Sequence, residues 1–142
     1  SLINEKGFKS SSRSKKEDVT SDVQVLLGDT MGELNFLYSL SDVAFVGGSL
    51  IDHGGQNLLE PAAQGLPLCS GPSLRNFIEV SEQLKNAGGL KIIENKNELA
   101  NYFIELINDE INLQKTGQSS KNVFIENRGA IDIVTKDLLG LL

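Results

Sequence analysis

Short apolar runs alternate with amphipathic stretches along this chain, and glycine-rich turns separate them. That rhythm leaves few folds open. VQVLL (23–27) is a β-branched run and predicts a buried strand. GELNFLYSL (32–40) predicts a short helix, and DVAFV (42–46) a second strand closed by Gly47 and Gly48. LLEPAAQG (58–65) reads as a short helix that stops at Gly65, and LPLCS (66–70) as a third strand. LRNFIEVSEQLKNAGG (74–89) sets Phe77, Val80 and Leu84 on one helical face, and LKII (90–93) is a fourth strand. KNELANYFIELIND (96–109) stacks Leu99, Phe103 and Ile107 at helical spacing. INLQKTGQSSKNVFIENRG predicts a helix broken near Gly117. AIDIVTKDLLGLL predicts a last helix with Ile131, Val134, Leu138 and Leu141 on one side. FKSSSRSKKEDVTS (8–21) is polar and aperiodic, which predicts a mobile loop.

Strands that alternate with helices over short loops imply parallel βαβ units. The expected fold is α/β, an open parallel sheet covered by helices on both faces. Its 142 residues suffice for one domain with a buried core. The expected division is a partly mobile basic loop over 1–22, an α/β core over 23–127 and a C-terminal helix over 128–142. Ligands of such sheets bind beyond the carboxyl ends of the strands, where the glycine-rich stretches lie.

Charge and cysteine content narrow the chemistry. The net charge of −6 argues against nucleic acid as a partner. Positive charge gathers at the start, where Lys6, Lys9, Arg13, Lys15 and Lys16 face Glu5 alone. Cys69 is the single cysteine, so no disulfide framework exists and a reducing compartment fits. No cluster of metal-ligand types stands out, and neither a metal nor a cofactor is expected. No run of about 18 apolar residues exists, so no membrane-spanning helix is expected, and no signal peptide is visible. The first residue is Ser1 rather than Met, which points to a fragment.

The richest stretch is VGGSLIDHGGQNLLE (46–60). Gly54 and Gly55 tolerate positive φ and admit close approach of a ligand to the backbone. The helix start behind them offers free N–H groups to a phosphate. Glu60 in the first turn would repel phosphate but can accept two hydrogen bonds from a vicinal diol such as a ribose. Asn57-x-x-Glu60 equally fits a capping box with no ligand, and spacing alone leaves both readings open. Pro61 suits a first-turn position. The glycine spacing is not G-x-G-x-x-G, which disfavours NAD. Thr30-x-x-Glu33 in LLGDTMGEL is another capping box; in its functional version the backbone around Met31 reads a nucleobase edge. His53 reads as a surface or hydrogen-bonded residue, Phe77 as core and Asn76 as a cap or turn. SSSRSKK reads as a solvated loop, or else as a basic arm near an anionic ligand or membrane surface.

LLGDTMGEL, SDVAFVGGSL, GGQNLLEPAAQGLPL and GPSLRNF follow one another at close spacing. Together they resemble the C-terminal part of the 3-deoxy-D-manno-octulosonic acid (Kdo) transferases, the lipid A Kdo transferases of Gram-negative bacteria. NRGAIDIVTKDLL resembles that family's closing helix, and Ser12-Arg13-Ser14 its basic loop. The resemblance implies a Rossmann-like sheet flanked by helices, the C-terminal half of a GT-B fold without its first strands. It also implies a CMP-Kdo donor, a lipid A precursor acceptor held by the N-terminal domain, and direct displacement with CMP leaving. The catalytic base, a glutamate, belongs to the N-terminal domain, so no catalytic residue and no transfer activity are expected in this chain. The implied location is the cytoplasm, at the inner membrane for the full-length protein. Carried over by position, Glu60 holds the ribose hydroxyls and Asn57 sets the loop. The backbone of Gly54, Gly55 and Gln56 lies beside the phosphate, with Gly48 and Ser49 close by, and Met31 faces the cytosine. Gln56 departs from the family's Gly-Gly-His-Asn block and cannot carry charge. Alternatives are the donor domain of a GT-B enzyme using UDP-sugars, a transferase or epimerase, and a ligand-free α/β interaction module.

Overall fold

The computed structural model describes residues 2–139, with side-chain environments through residue 129. The chain forms two compact units, Ser1–Ser39 and Leu40–Leu142. The first holds helix α1 (Leu2–Glu5), strands β1 (Ser10–Ser12) and β2 (Val25–Leu27), and helix α2 (Leu34–Ser39). The second holds β3 (Ala44–Val46), α3 (Leu59–Ala63), β4 (Leu68–Ser70), α4 (Ile78–Ala87), β5 (Leu90–Ile92), α5 (Lys96–Asn108) and α6 (Glu110–Leu139).

In the second unit β3, β4 and β5 form one parallel sheet in that order. The register aligns Phe45, Cys69 and Lys91 on one face, because successive side chains alternate across the pleat. Cys69 clusters there with Ile93 and with Tyr102 and Leu106 of α5, and Phe45 and Phe103 pack against the group. Lys91 lies 4.8 Å from the centre of the Tyr102 ring. Ala44, Leu68, Val46 and Ser70 point the other way and are also buried. Helices α3 and α4 both contact α6, and α4 contacts β5. Asn95 caps α5 by accepting from the amides of Asn97 and Glu98. Gly88, in the left-handed conformation, ends α4.

The expected break at Gly117 is absent, and α6 runs on from Glu110 to Leu139. The glycine serves packing instead. A Cβ at residue 117 would lie 2.2 Å from the Gly65 carbonyl oxygen, so only glycine lets α6 press against the turn after α3. The side chains of Ile131, Val134, Leu138 and Leu141 lie outside the described residues. The helix expected from residue 74 begins at Ile78, because Leu74–Phe77 close a turn with a 2.8 Å hydrogen bond from Phe77 N to Leu74 O.

In the first unit, Ser10–Ser12 is a strand where the sequence predicts a loop. It gains order from parallel pairing with Val25–Leu27, a long-range contact that leaves no local periodicity. The strand expected to be buried is not, since Leu26 and Leu27 are 39% and 47% exposed in this two-stranded sheet. Polar fastening holds the serine strand down. Asp29 accepts from the Ser14 hydroxyl at 2.7 Å, the Ser14 amide at 2.9 Å and the Ser12 hydroxyl at 2.9 Å. These bonds, Ser14's first, hold the Asp29 carboxyl well below the usual range. Lys9, then Thr20, lower Asp22 to about 2.

Two outcomes follow. Gly117→Ala should destabilise the chain by about 1–3 kcal/mol in urea unfolding, because the backbone clash outweighs the roughly 1 kcal/mol that alanine adds to helix propensity; a stabilised variant would refute the packing role. Asp29 and Asp22 both have folded-state pKa values below their unfolded value. Their contribution to stability is therefore present above about pH 4 and is lost as pH falls through the folded values. The Ser14 amide resonance should stay constant from neutral pH down to about 4 and move only below that; a midpoint at higher pH would contradict the fastening.

Candidate functional site

The glycine-rich loop leaves the carboxyl end of β3. Ser49 is fully buried, and its hydroxyl donates to Val46 O at 2.7 Å and accepts from Gly71 N at 2.8 Å. The loop closes where Gly55 N donates to Gly48 O at 3.0 Å. Gly54 N donates to the Ser73 hydroxyl at 3.0 Å. Gly54 and Gly55 have φ of +84° and +74°, a region that strains residues bearing a Cβ. Space excludes other residues as well. A Cβ on Gly54 would meet Asn76 Nδ2 at 2.5 Å, and one on Gly55 would meet Leu74 Cδ2 at 2.7 Å.

The structure thus brings Gly48, Ser49, Gly54, Gly55, Gln56, Asn57 and Glu60 onto one continuous strand-loop-helix segment. It also divides their work. The Ser49 hydroxyl is consumed inside the fold, and the amides of Gly54 and Gly55 are already bonded. The amides of Gln56 and Asn57 have no partner among the described residues. Gln56 is exposed and lies over Gly48, where an added Cβ would sit 3.7 Å from its Nε2.

The capping-box reading of Asn57 and Glu60 holds only by half. Asn57 Oδ1 accepts from Leu59 N at 3.0 Å, which satisfies one free amide of the helix start. Glu60 does not reach back to a backbone amide. Its Oε1 accepts from Asn57 Nδ2 at 3.0 Å, and its Oε2 has no partner among the described residues. The carboxylate is half-buried. Leu58 is the cap position, so Pro61 is the third helical residue and sacrifices no hydrogen bond. With five residues, α3 carries little macrodipole. Anion attraction here rests on individual amides.

Met31 belongs to the first unit and is 97% exposed. It borders a cleft of about 690 Å³ with Arg13, Lys16, Thr30 and Glu33. Arg13 grips Glu33 through two hydrogen bonds, NH2 to Oε1 at 2.5 Å and Nε to Oε2 at 3.2 Å. The Thr30 hydroxyl donates to the same carboxylate. Arg13 first, then Thr30, lower the Glu33 pKa, and Glu33 raises that of Arg13. The expected capping box is therefore not formed: Glu33 turns to Arg13.

A cleft of about 740 Å³ in the second unit contains only Ser49 of the residues expected from sequence. Its rim carries the Arg75–Asp52 ion pair at 2.6 Å. Ser73 went unnoticed in the sequence, although it follows a Gly-Pro pair that forces a turn. The His53 side chain is exposed and has no partner among the described residues. Burial pushes the Cys69 thiol up to about 12, far from a nucleophile's range. Among the described residues no three His, Cys, Asp or Glu side chains are placed to hold a metal ion.

Comparison with known proteins sets this geometry in context. The family model for Glycosyl transferases group 1 matches residues 4–123. A 3-deoxy-D-manno-octulosonic acid transferase of Haemophilus influenzae is 37% identical over 131 residues, covering 92% of this chain and 31% of that protein. A bifunctional glycosyltransferase/methyltransferase of Fusobacterium nucleatum is 35% identical over 122 residues, or 84% of this chain and 18% of that one. The chain thus spans under a third of the length of these relatives. The crystal structure of the C-terminal CMP-Kdo binding domain of WaaA from Acinetobacter baumannii superposes with a TM-score of 0.82 at 27% identity, covering 86% of this chain and 64% of that one. The match extends over most of the sequence and includes the whole glycine-rich loop and the start of α3: the chain belongs to the group 1 glycosyl transferases.

Proposed function

We propose that this chain is the donor-binding part of a Kdo transferase. It holds CMP-Kdo while Kdo passes to a lipid A precursor in lipopolysaccharide synthesis. The observation that carries this reading is the free Oε2 of Glu60, held half-buried by Asn57 close in sequence to the unpaired Gln56 and Asn57 amides. A carboxylate so presented accepts hydrogen bonds from two adjacent ribose hydroxyls. The unpaired amides suit a phosphate, and the neutral side chain of Gln56 adds a donor.

The roles of these residues follow from the charge that moves. Displacement at the anomeric carbon leaves negative charge on the departing CMP phosphate. Donors already oriented toward that phosphate stabilise the charge as it grows. Glu60 fixes the nucleoside and so sets where the phosphate lies. The base that activates the acceptor, and the site that holds the acceptor, belong to other parts of the full-length enzyme. Its place of work is the cytoplasmic face of the inner membrane. No helix among the described residues is long and apolar enough to cross a membrane.

Titration calorimetry of the chain with CMP and UMP tests the reading, with CMP expected to bind more tightly; preference for UMP would overturn the assignment of the donor. Glu60→Gln should weaken CMP binding by about 1–3 kcal/mol through loss of charged hydrogen bonds to the diol. Unchanged affinity in a folded variant would remove Glu60 from the site.

A further inference from the structure

The segment after β4 is latched to the glycine-rich loop at several points. Gly71 N and Ser73 N donate to the Ser49 hydroxyl and carbonyl oxygens at 2.8 and 2.9 Å. Asn76 N donates to Gly54 O at 3.4 Å. At the centre, the Ser73 hydroxyl accepts from Gly54 N at 3.0 Å. Gly54 is buried, so its amide needs a protein partner. Arg75 and Asn76 crowd its Cα, and Leu74 crowds Gly55. The next residues are Gln56 and Asn57, whose amides are unpaired among the described residues.

We infer that Ser73 is a positioning residue for the donor loop: by taking the Gly54 amide it fixes the twist that points the Gln56 and Asn57 amides at the donor's phosphate. The inference rests on the donor-site reading above and adds a residue that reading does not use. Without the hydroxyl, a buried Gly54 N–H loses its acceptor and the loop must rotate to recover one. The neighbours leave the two glycines no room to absorb that rotation locally, so it carries into the peptides of residues 56 and 57, which carry the phosphate contacts. Glu60 stands beyond them, in α3.

The test compares wild type, Ser73→Ala and Ser73→Thr by titration with CMP and with cytidine. The ratio of the two affinities isolates the phosphate. Ser73→Ala should lower the CMP-to-cytidine ratio by about 3- to 10-fold, the loss of one hydrogen bond's worth of orientation. Cytidine affinity should stay near wild type, and Ser73→Thr should restore the ratio. An unchanged ratio in folded Ser73→Ala, or equal impairment of the alanine and threonine variants, overturns the inference. Amide hydrogen exchange gives a readout independent of ligand. Protection at Gly54 should fall in Ser73→Ala and return in Ser73→Thr, and unchanged protection also overturns the inference. If wild type binds neither CMP nor cytidine, the donor-site reading fails, and the Gly54 exchange result alone decides whether Ser73 sets the loop.

Discussion

One buried hydroxyl fastens the ends of two strands. Ser49 bonds to the last residue of β3 and to Gly71 just beyond β4. Parallel neighbours diverge into separate loops once their ladder ends, because nothing in the pleat holds them further. The Ser49 bridge extends the pairing past that point. The contact is too close for a side chain opposite, since a Cβ on Gly71 would lie 2.3 Å from the Ser49 carbonyl oxygen. The glycine-rich loop leaves the sheet from this fixed post, and the closure at Gly55 and Gly48 is measured from it. Everything placed near Glu60 inherits its position from that fastening.

The alternation of apolar runs and amphipathic stretches was legible because each element of the second unit buries one face. Leu68 and Cys69 are both fully buried on opposite faces of β4, so the continuous run LPLCS reads as a two-sided strand. Gly117 misled because a glycine in a helical stretch signals either a break or a close approach, and the deciding atom, the Gly65 carbonyl, is remote in sequence. The serine strand was illegible for a similar reason. Its order comes from β2 and from Asp29, and a run of serines carries no pattern of its own. Element ends moved inward by one to four residues, as at Ile78, where a turn replaced the first helical residues.

In the site, spacing could say that Asn57 and Glu60 face each other but not which atoms meet. In a full box Glu60 would reach a backbone amide. In the structure it reaches a side-chain amide instead, and one carboxylate oxygen stays open. The glycines were legible as positions of positive φ. That their own amides are spent within the loop was not, because the acceptors, Gly48 O and Ser73 Oγ, are set by the folded path.

Helix α3 is a single short turn and a half, too brief to persist by its own hydrogen bonds. It keeps its direction because α6 leans on it, with glycine meeting glycine where the two approach. The long helix thus acts as a splint for the carboxylate-bearing turn. Substitutions far along the chain, on the flank of α6 nearest residue 117, reach the Glu60 end of α3 with no hinge in between, so the inheritance of that flank and of Glu60 is mechanically joined.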